Sequence, residues 1–354
     1  MEGVGVAAWR GLAQPAGSGC GAGPVLPGAR LRLAYGVVRR WLDQGNAVDS
    51  GGLGGFPPNA VVEGDCRALI PALPDESIDI VISSPPYWGQ RTSAGNGVEA
   101  DPRRYVAELA DAFTALLPKL KPDGVLWINL GDAYNTPVNW RSADYAYSTL
   151  GPARGGLPPG NSAYAKPRHR RRPFLDNSET WLRYGNLLAL PYRLVVALSD
   201  VGWLFRGEVI WRKKNPMPEG RCRRPHRQHE AVYLFARSEQ HAFRASPPVG
   251  SVWEFASERV GGAKHYSRFP EELPRRCIAA YGRAGPDVVV LDPFSGSGTT
   301  GVAALRAGCR YLGFEIDGQQ VAASNLRLRD AAPARSAGEI RLGESLPGGA
   351  RSGG

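Results

Sequence analysis

The sequence predicts an α/β fold built on a doubly wound, mainly parallel sheet with helices on both faces. Two observations support this class. Short apolar runs typical of buried strands alternate along the chain with longer segments whose apolar residues recur at helical spacing. Several of the apolar runs also lead directly into polar or glycine-rich loops. In a sheet of this kind such loops meet at the carboxyl ends of the strands, so we expect a ligand site there.

The first strands of the sheet are predicted early in the chain. Residues 60–62 and 78–83 are strand candidates, and each ends at a polar loop. A helix is predicted over residues 105–120, a turn at the Lys-Pro-Asp-Gly sequence of residues 121–124, and a strand over residues 125–128. Together these elements form a strand, a crossover helix and a second strand.

The later elements complete the same pattern. A helix is predicted over residues 187–198 and a strand over residues 203–211. After about Leu273 the predicted elements are a helix through 278–281, a strand at 288–291, a helix at 300–307, a strand at 311–314 and a helix at 319–328.

Composition divides the chain into a core, two insertions and two ends. The predicted core consists of residues 57–134, 181–211 and 265–330. Two basic segments interrupt it, a Gly/Pro-rich one at residues 135–180 and a second one at residues 212–264. Residues 1–56 are expected to be a flexible, low-complexity extension outside the catalytic core, and residues 331–354 a disordered tail.

The net charge of the chain points to a polyanionic partner. The formal charge is +10 and the pI is near 9.5, which favours nucleic acid. An arginine-rich surface that reflects a GC-rich genome is the alternative. The hydrophobic share of 43% is that of a globular protein, and no apolar run approaches the roughly 20 residues of a membrane span. We therefore expect a cytoplasmic protein, prokaryotic or phage-encoded.

The cysteine and histidine spacings do not suggest a metal site. The five cysteines are far apart and form no CxxC pair, and they are expected to be reduced. His226 and His229 are close together, but no cysteine or carboxylate pattern completes a tetrahedral site around them.

A glycine turn after a predicted strand suggests a site for a nucleoside-bearing cofactor. Gly296 and Gly298 allow a ligand to approach the backbone closely, and the helix that follows offers free amides to an anion. Glu315 ends the next strand, where a carboxylate can accept hydrogen bonds from ribose hydroxyls. The third glycine of the GxGxxG pattern is missing, which disfavours a nicotinamide cofactor. A merely tight turn is the alternative.

The Ser84-Pro85-Pro86-Tyr87 sequence that follows residues 78–83 suggests a site for an amino group. Two prolines fix an extended backbone and leave carbonyls as acceptors. An exocyclic amine is a double donor, and acceptors such as the Ser84 hydroxyl and the Pro85 carbonyl would favour the pyramidal, nucleophilic form of its nitrogen. The Tyr87 ring could stack on a base taken out of the duplex. The alternative is that Pro-Pro only ends a strand.

Taken together, these motifs resemble one family, the DNA amino-methyltransferases of the permuted beta class, in which an SPPY or DPPY motif precedes the FxGxG motif. The resemblance extends from about Val61 to Arg329. It rests on a collinear set of motifs, namely Gly64-Asp65, Ser84 to Trp88, Lys121 to Gly124 with Gly131-Asp132, Trp211 to Pro218, His229-Glu230, His265 with Phe269-Pro270, and Asp292 to Thr300.

The resemblance implies a Rossmann-like, S-adenosylmethionine-dependent methyltransferase fold with an inserted DNA-recognition region at residues 212–264. It implies that Ser84, Pro85, Pro86 and Tyr87 are catalytic and handle the target base. The cofactor residues that it implies are Asp65 near the adenine, Glu315 on the ribose, Phe269, and the turn formed by Asp292, Pro293, Phe294, Ser295, Gly296, Ser297, Gly298, Thr299 and Thr300. Methyl transfer would be direct and in line, without a covalent enzyme intermediate.

Ser at the first motif position resembles the cytosine-N4 subtype, whereas Asp or Asn resembles the adenine-N6 subtype. Some N4 relatives place a carboxylate at the end of the next strand, where this chain has Asn129, with Asp132 three residues on. The expected activity is N4 methylation of cytosine in a specific duplex sequence, as part of a restriction-modification system with a separate endonuclease. Adenine-N6 methylation is the nearest alternative. A nucleotide-cofactor oxidoreductase and a catalytically silent DNA-binding protein are more distant ones.

A basic stretch is the expected DNA contact, because arginine forks suit phosphates and the major-groove edge of guanine. A solvated loop is the alternative. The predicted DNA-binding side chains are Arg212, Lys213, Lys214, Arg221, Arg223, Arg224 and Arg227.

Overall fold

The structure is a computed structural model, and it describes residues 53–88, 101–135, 179–183, 185–216, 223–244, 249–257 and 269–331. Several predicted regions lie outside the described residues. They are nearly all of the N-terminal extension, most of the insertion at residues 135–180, parts of the second basic segment, Arg221, and the tail after Ala331.

Eight strands of the described chain form one sheet in the order β1-β8-β7-β2-β3-β5-β4-β6. Their bounds are β1 Ala60–Glu63, β2 Ile78–Ser83, β3 Leu120–Leu130, β4 Leu204–Lys213, β5 His229–Ala236, β6 Val252–Phe255, β7 Val289–Asp292 and β8 Arg310–Glu315. All neighbouring pairs are parallel except the two that involve β5, which runs antiparallel to both β3 and β4. The predicted mainly parallel sheet is therefore confirmed.

Helices flank the sheet in the described residues. Their bounds are α1 Cys66–Leu69, α2 Pro102–Thr114, α3 Leu190–Asp200, α4 Glu272–Tyr281, α5 Thr299–Arg306 and α6 Gly318–Asp330. The start of α2 illustrates how the sequence sets a boundary. Asp101 accepts a hydrogen bond from the Arg103 amide, and Pro102 occupies the first turn, where a missing amide costs nothing. None of the described helices combines the length and the hydropathy needed to cross a membrane.

The sheet is packed on both faces, as a doubly wound fold requires. In β3, Leu126, Ile128 and Leu130 belong to one apolar cluster, whereas Val125 and Trp127 belong to the other. Successive side chains of a strand point to opposite faces, so this alternation means that both faces of the strand are covered. Near-continuous apolar strands are the result, which explains why they were visible in the sequence.

The boundary between α2 and β3 differs from the prediction. The helix predicted over residues 105–120 ends at Thr114, and a 3₁₀ turn at Leu117–Lys119 follows it. Pro118 lies in that turn and lacks the amide that a continuing helix needs. The predicted turn at residues 121–124 is instead the start of β3, which pairs with β2 through an irregular register between Ile78 and Ile80.

Two domain boundaries need correction. The second basic segment, predicted over residues 212–264, contains two strands of the central sheet, because β5 pairs with β3 and β6 pairs with β4. An insertion within residues 212–264 is therefore limited to the segments that precede, separate and follow β5 and β6. At the other end, Leu53 and Phe56 are buried in the main apolar cluster, so the packed core begins no later than Leu53 rather than at residue 57.

Candidate active site

The predicted site loops meet at one edge of the sheet. The strand register pairs Glu63 with Glu315 and Asp292 with Gly313, and β7 is hydrogen-bonded to β2. The loops after β1, β2, β7 and β8 therefore leave the sheet side by side. The Ser84-Pro85-Pro86-Tyr87 loop follows β2 and the glycine turn follows β7, so the two predicted motifs lie on adjacent strands.

Asp292 connects the two motifs directly. Its carboxylate is 1% exposed and accepts hydrogen bonds from Ser83 Oγ at 2.7 Å, from the Phe294 amide at 3.0 Å and from Thr300 Oγ1 at 2.7 Å. These donors belong to the end of β2, the turn and the start of α5. Burial raises the pKa of Asp292 to about 6, because the charged form loses its hydration. The carboxylate holds the glycine turn against the strand that carries the double proline.

Glycine is required in the turn by the backbone conformation. Gly296 and Gly298 have φ values of 53° and 75°, which are costly for residues with a Cβ. The nearest atoms to a Cβ added on Gly296 would be 3.9 Å away. A Cβ added on Gly298 would lie 3.1 Å from Ser324 Cβ. A Cβ at position 296 would thus make only ordinary van der Waals contacts, whereas Gly298 packs closely against α6.

Glu315 faces this turn from the end of β8. Its side chain is 4% exposed, and its two oxygens accept hydrogen bonds from the Gly296 amide at 2.9 Å and from the Asp317 amide at 3.0 Å. Asp65 follows β1 on the adjacent strand and accepts hydrogen bonds from the backbone and side chain of Arg67. A carboxylate oxygen can accept more than one hydrogen bond, so these acids fit the hydroxyls and amino group of a nucleoside.

The other predicted cofactor residues surround the same turn. Pro293, Ser295, Thr299 and Thr300 are buried, whereas Phe294 and Ser297 are half-buried. Phe294 packs edge-on against Phe113 with ring centroids 5.9 Å apart. Phe269 is half-buried and packs against the apolar cluster on one face of the sheet.

The double-proline loop is fixed from two sides. Pro85 is buried, and the Pro86 carbonyl accepts a hydrogen bond from the Tyr105 hydroxyl of α2 at 2.9 Å. The Pro86 carbonyl is thus engaged within the protein. The Tyr87 ring lies against Gly131, where an added Cβ would be 2.5 Å from the ring. Only glycine at position 131 leaves room for Tyr87 in this orientation.

The Tyr87 hydroxyl reaches two residues of neighbouring strands. It lies 2.7 Å from Glu230 Oε2 and 3.2 Å from Asn129 Oδ1. Burial, and then the negative charge of Glu230, raise the pKa of Tyr87 well above its ordinary value, so the phenol stays protonated. The sequence identified His229-Glu230 only as part of a family motif. The position of Glu230 at the start of an apolar run was the signal that it begins a strand.

Asn129 and Glu230 extend this network. Asn129 Nδ2 donates to Glu230 Oε2 at 3.3 Å and to the Ala231 carbonyl at 3.1 Å, while its Oδ1 lies 3.4 Å from Ser84 Oγ. The other oxygen of Glu230 forms an ion pair with Lys213. By contrast, Asp132 Oδ1 accepts hydrogen bonds from the Ala133 amide at 2.8 Å and the Leu190 amide at 3.0 Å, so it caps α3.

Arg221 lies outside the described residues, and the other predicted DNA-binding side chains are spread along the same edge of the sheet. Arg212 and Lys214 are exposed, and Arg212 forms an ion pair with Glu254. Arg223 is exposed as well. Arg224 stacks over the Tyr134 ring at 4.1 Å, and Arg227 donates to the Asp132 carbonyl at 2.7 Å. The structure thus brings these two arginines beside the loop that follows β3. Lys213 is half-buried and pairs with Glu230 instead of pointing into solvent.

Comparison with known families gives one match that covers most of the chain. The family model of the N6/N4 methyltransferases, described as DNA methylase, matches residues 78–326. The matched region contains the double-proline loop, the glycine turn and all eight strands except β1.

Two similar relatives are Type II methyltransferases. The chain is 31% identical over 289 residues to M.XycI from Xanthomonas campestris pv. cyanopsidis, covering 77% of this chain and 88% of that protein. It is 30% identical over 285 residues to M.SmaI from Serratia marcescens, covering 76% of this chain and 90% of that protein. Among solved structures, the PvuII DNA methyltransferase (cytosine-N4-specific) superimposes with a TM-score of 0.54 at 22% identity, over 78% of this chain and 94% of that one. At that identity the superposition supports the fold alone.

Proposed function

The chain belongs to the N6/N4 family of DNA methyltransferases, and from this premise we propose that it methylates the N4 amino group of cytosine in a specific duplex sequence. As a member of that family it is an enzyme that acts on DNA and uses S-adenosylmethionine. The target atom, the specificity and the residue roles are the proposal.

One observation carries the proposal, namely the hydrogen bond of 2.7 Å between Ser83 Oγ and Asp292. It holds the loop suited to an amino group beside the turn suited to a nucleoside. When bound, S-adenosylmethionine supplies an electrophilic methyl carbon, so the N–C bond forms as the C–S bond breaks, its electron pair stays on sulfur, and one amine proton leaves to water. The geometry of the loop can contribute by orienting the amine for in-line attack.

The proposed cofactor residues follow from the chemistry of the donors around the turn. Glu315 and Asp65 lie at the ends of adjacent strands and would accept hydrogen bonds from the ribose and the adenine. The remaining contacts are proposed for Phe269 and for the turn from Asp292 to Thr300, which would surround the methionine part. Asp292 would act from beneath the turn, because its oxygens are engaged by Ser83, Phe294 and Thr300.

The proposed base residues are Ser84, Pro85, Pro86 and Tyr87. The Ser84 hydroxyl and the Pro85 carbonyl would accept the two protons of the target amine. Serine at the first position supports cytosine over adenine. Because an amino group inside a duplex cannot reach this edge, the target base would be taken out of the stack. The ring of Tyr87, held at its hydroxyl by Glu230, would then stack on it.

DNA binding is proposed for Arg212, Lys214, Arg221, Arg223, Arg224 and Arg227. Lys213, which forms an ion pair with Glu230, would add its positive charge to the same surface. These charges would contact phosphates, which position the duplex without reading sequence. We further propose that the enzyme belongs to a restriction-modification system in the cytoplasm and protects the sites that a separate endonuclease cleaves. The names of the similar Type II methyltransferases support this context.

The test is identification of the modified nucleoside. Plasmid DNA from a host that expresses the protein is digested to nucleosides and analysed by mass, and modified positions are mapped by sequencing. We expect N4-methylcytosine at one recurrent sequence. Detection of N6-methyladenine instead would show that the enzyme methylates adenine, and it would overturn the cytosine assignment.

A further inference from the structure

The amide of Asn129 has a fixed orientation. An amide presents an acceptor on one side and a donor on the other, so its orientation decides which kind of partner it can bind. Asn129 Nδ2 lies 3.3 Å from Glu230 Oε2 and 3.1 Å from the Ala231 carbonyl, and both of these atoms are acceptors. A flipped amide would place oxygen against two oxygens. Asn129 Oδ1 must therefore face the double-proline loop, where Ser84 Oγ is 3.4 Å away.

The single proton of the Tyr87 hydroxyl is directed away from Asn129. Glu230 Oε2 lies 2.7 Å from the hydroxyl and Asn129 Oδ1 lies 3.2 Å from it, but one proton serves one of them. The carboxylate is nearer, and hydrogen bonds to a charged acceptor are the stronger ones. Tyr87 thus donates to Glu230. Asn129 Oδ1 accepts a long hydrogen bond from the Ser84 hydroxyl at 3.4 Å and keeps a second lone pair for a donor in the pocket.

Glu230 is itself held in place from the side opposite to the loop. Its Oε1 pairs with Lys213, whose ammonium also lies 4.9 Å from the centre of the Trp211 ring. The strand register places Trp211 directly opposite Glu230. One oxygen of the carboxylate is therefore committed to β4, and the other is aimed at Asn129 and Tyr87.

We propose that Glu230 is a positioning residue that fixes Asn129 Oδ1 as a hydrogen-bond acceptor for the amino group of the target base. The proposal rests on the function proposed above and deepens it. Asn129 Oδ1 would be a third acceptor beside the Ser84 hydroxyl and the Pro85 carbonyl, and it would share with the neighbouring Ser84 hydroxyl one of the two protons that the amine offers. The acceptor would then be the neutral amide of Asn129 rather than a carboxylate. The negative charge lies on Glu230, behind Asn129, where the ion pair with Lys213 balances it.

An exchange of the two side-chain types tests this arrangement. The variants are E230Q, N129D and the double variant E230Q/N129D, each measured for single-turnover methylation of duplex DNA. E230Q brings a second amide against Asn129 and should lower the rate about 100-fold. N129D places two carboxylates face to face and should lower it at least about 10-fold. In the double variant an amide again donates to a carboxylate, and the rate should return to within about 10-fold of the wild type.

A control variant and two binding measurements isolate the positioning role. Glu76→Gln removes the same charge from the ion pair with Arg237, which immediately follows the other end of β5, and should leave the rate unchanged. Binding of S-adenosylmethionine and of DNA should stay within about threefold for all variants, so that the loss appears in kcat rather than in KM. Rates are compared at a temperature at which circular dichroism shows every variant folded.

The outcomes separate this inference from the proposed function. A wild-type protein that methylates no DNA base would refute the proposed function and this inference with it. A wild-type protein that methylates DNA while E230Q keeps its full rate would overturn the inference alone. The same holds if the losses of E230Q and N129D simply multiply in the double variant, because a merely structural role of Glu230 predicts no recovery.

Discussion

At the scale of single residues, Asp292 is the side chain that joins the two motifs of the site. Its hydrogen bonds to Ser83, Phe294 and Thr300 all lie inside the protein, and its burial makes the charged form costly. Resemblance to the family placed it among the cofactor residues. The geometry indicates that it supports the turn from below, which is a structural contribution to the same site.

Asp292→Asn should therefore change how stability depends on pH. The folded-state pKa of about 6 lies above the ordinary value of 3.8, so the wild type loses stability as pH rises from about 4 to about 6. Asparagine does not ionise. The stability of the variant relative to the wild type should rise across this window by up to about 3 kcal/mol and then level off. Urea unfolding between pH 4 and 7 measures the difference.

The matched variant for this measurement is Asp75→Asn, in an exposed ion pair with Lys119 at the opposite edge of the sheet. Its difference curve should lack the rise between pH 4 and 6. If the two variants gave the same pH dependence, the cost of the buried Asp292 charge would be refuted.

The sequence was informative about site residues that act within one motif. The double-proline loop, the glycine turn and the acid at position 315 were identified because each is encoded in a few adjacent residues. The contact between Asn129 and Glu230 joins positions 101 residues apart and depends on the pairing of β3 with β5. No local pattern reports which strand lies beside which, so the network around Tyr87 could not be predicted.

At the scale of secondary-structure elements, α3 is anchored by a residue from a distant loop. Its own cap position, Ala189, has a φ of 54° and offers no side-chain hydrogen bond. Asp132 supplies the missing acceptor to the Leu190 amide from the loop after β3. A negative charge near the amino end of a helix is also favoured by the helix dipole.

Asp132→Ala should destabilise the fold by about 1 to 2 kcal/mol, because the Leu190 and Ala133 amides lose their acceptor. Chemical denaturation of the purified protein measures the change. Asp200→Ala, at the exposed carboxyl end of the same helix, should have no effect or a slight stabilising one. Equal losses in the two variants would contradict the capping role of Asp132.

The existence of elements was easier to predict than their boundaries. Apolar strands such as β2 and β7 were identified because both faces of the sheet are covered. Their residues are all buried, so polar residues do not alternate with apolar ones along these strands. β5 and β6 were overlooked because basic and proline-rich sequence surrounds them. Their place in the sheet is decided by pairing with β3 and β4, which is a tertiary property.

At the scale of the whole molecule, the formal charge of +10 sets a field that attracts DNA. Arg224 and Arg227 lie beside the loop after β3, next to the candidate site. Arg224 is stacked on Tyr134, which limits its rotamers and reduces the entropy lost on contact with a phosphate.

DNA affinity should fall steeply with salt, and Arg224→Ala should reduce the slope of log affinity against log salt by about one. Titration of a labelled duplex at several salt concentrations measures both quantities. Arg306→Ala removes an exposed arginine that pairs with Glu271, the residue that precedes α4, and should leave the slope unchanged. An unaltered slope for Arg224→Ala would exclude this side chain as a phosphate contact.

The reversed direction of β5 has a consequence for how substrate recognition and chemistry are connected. In a strand parallel to its neighbours, the first residue would lie at the edge remote from the site. Here the first residues, His229 and Glu230, lie at the catalytic edge, and the chain enters them directly from Arg227. Glu230, which accepts the hydrogen bond of the Tyr87 hydroxyl, is thus only three residues from Arg227, one of the proposed phosphate contacts. Phosphate binding by Arg227, as proposed above, would therefore be coupled to the alignment of the target base through one short segment of backbone.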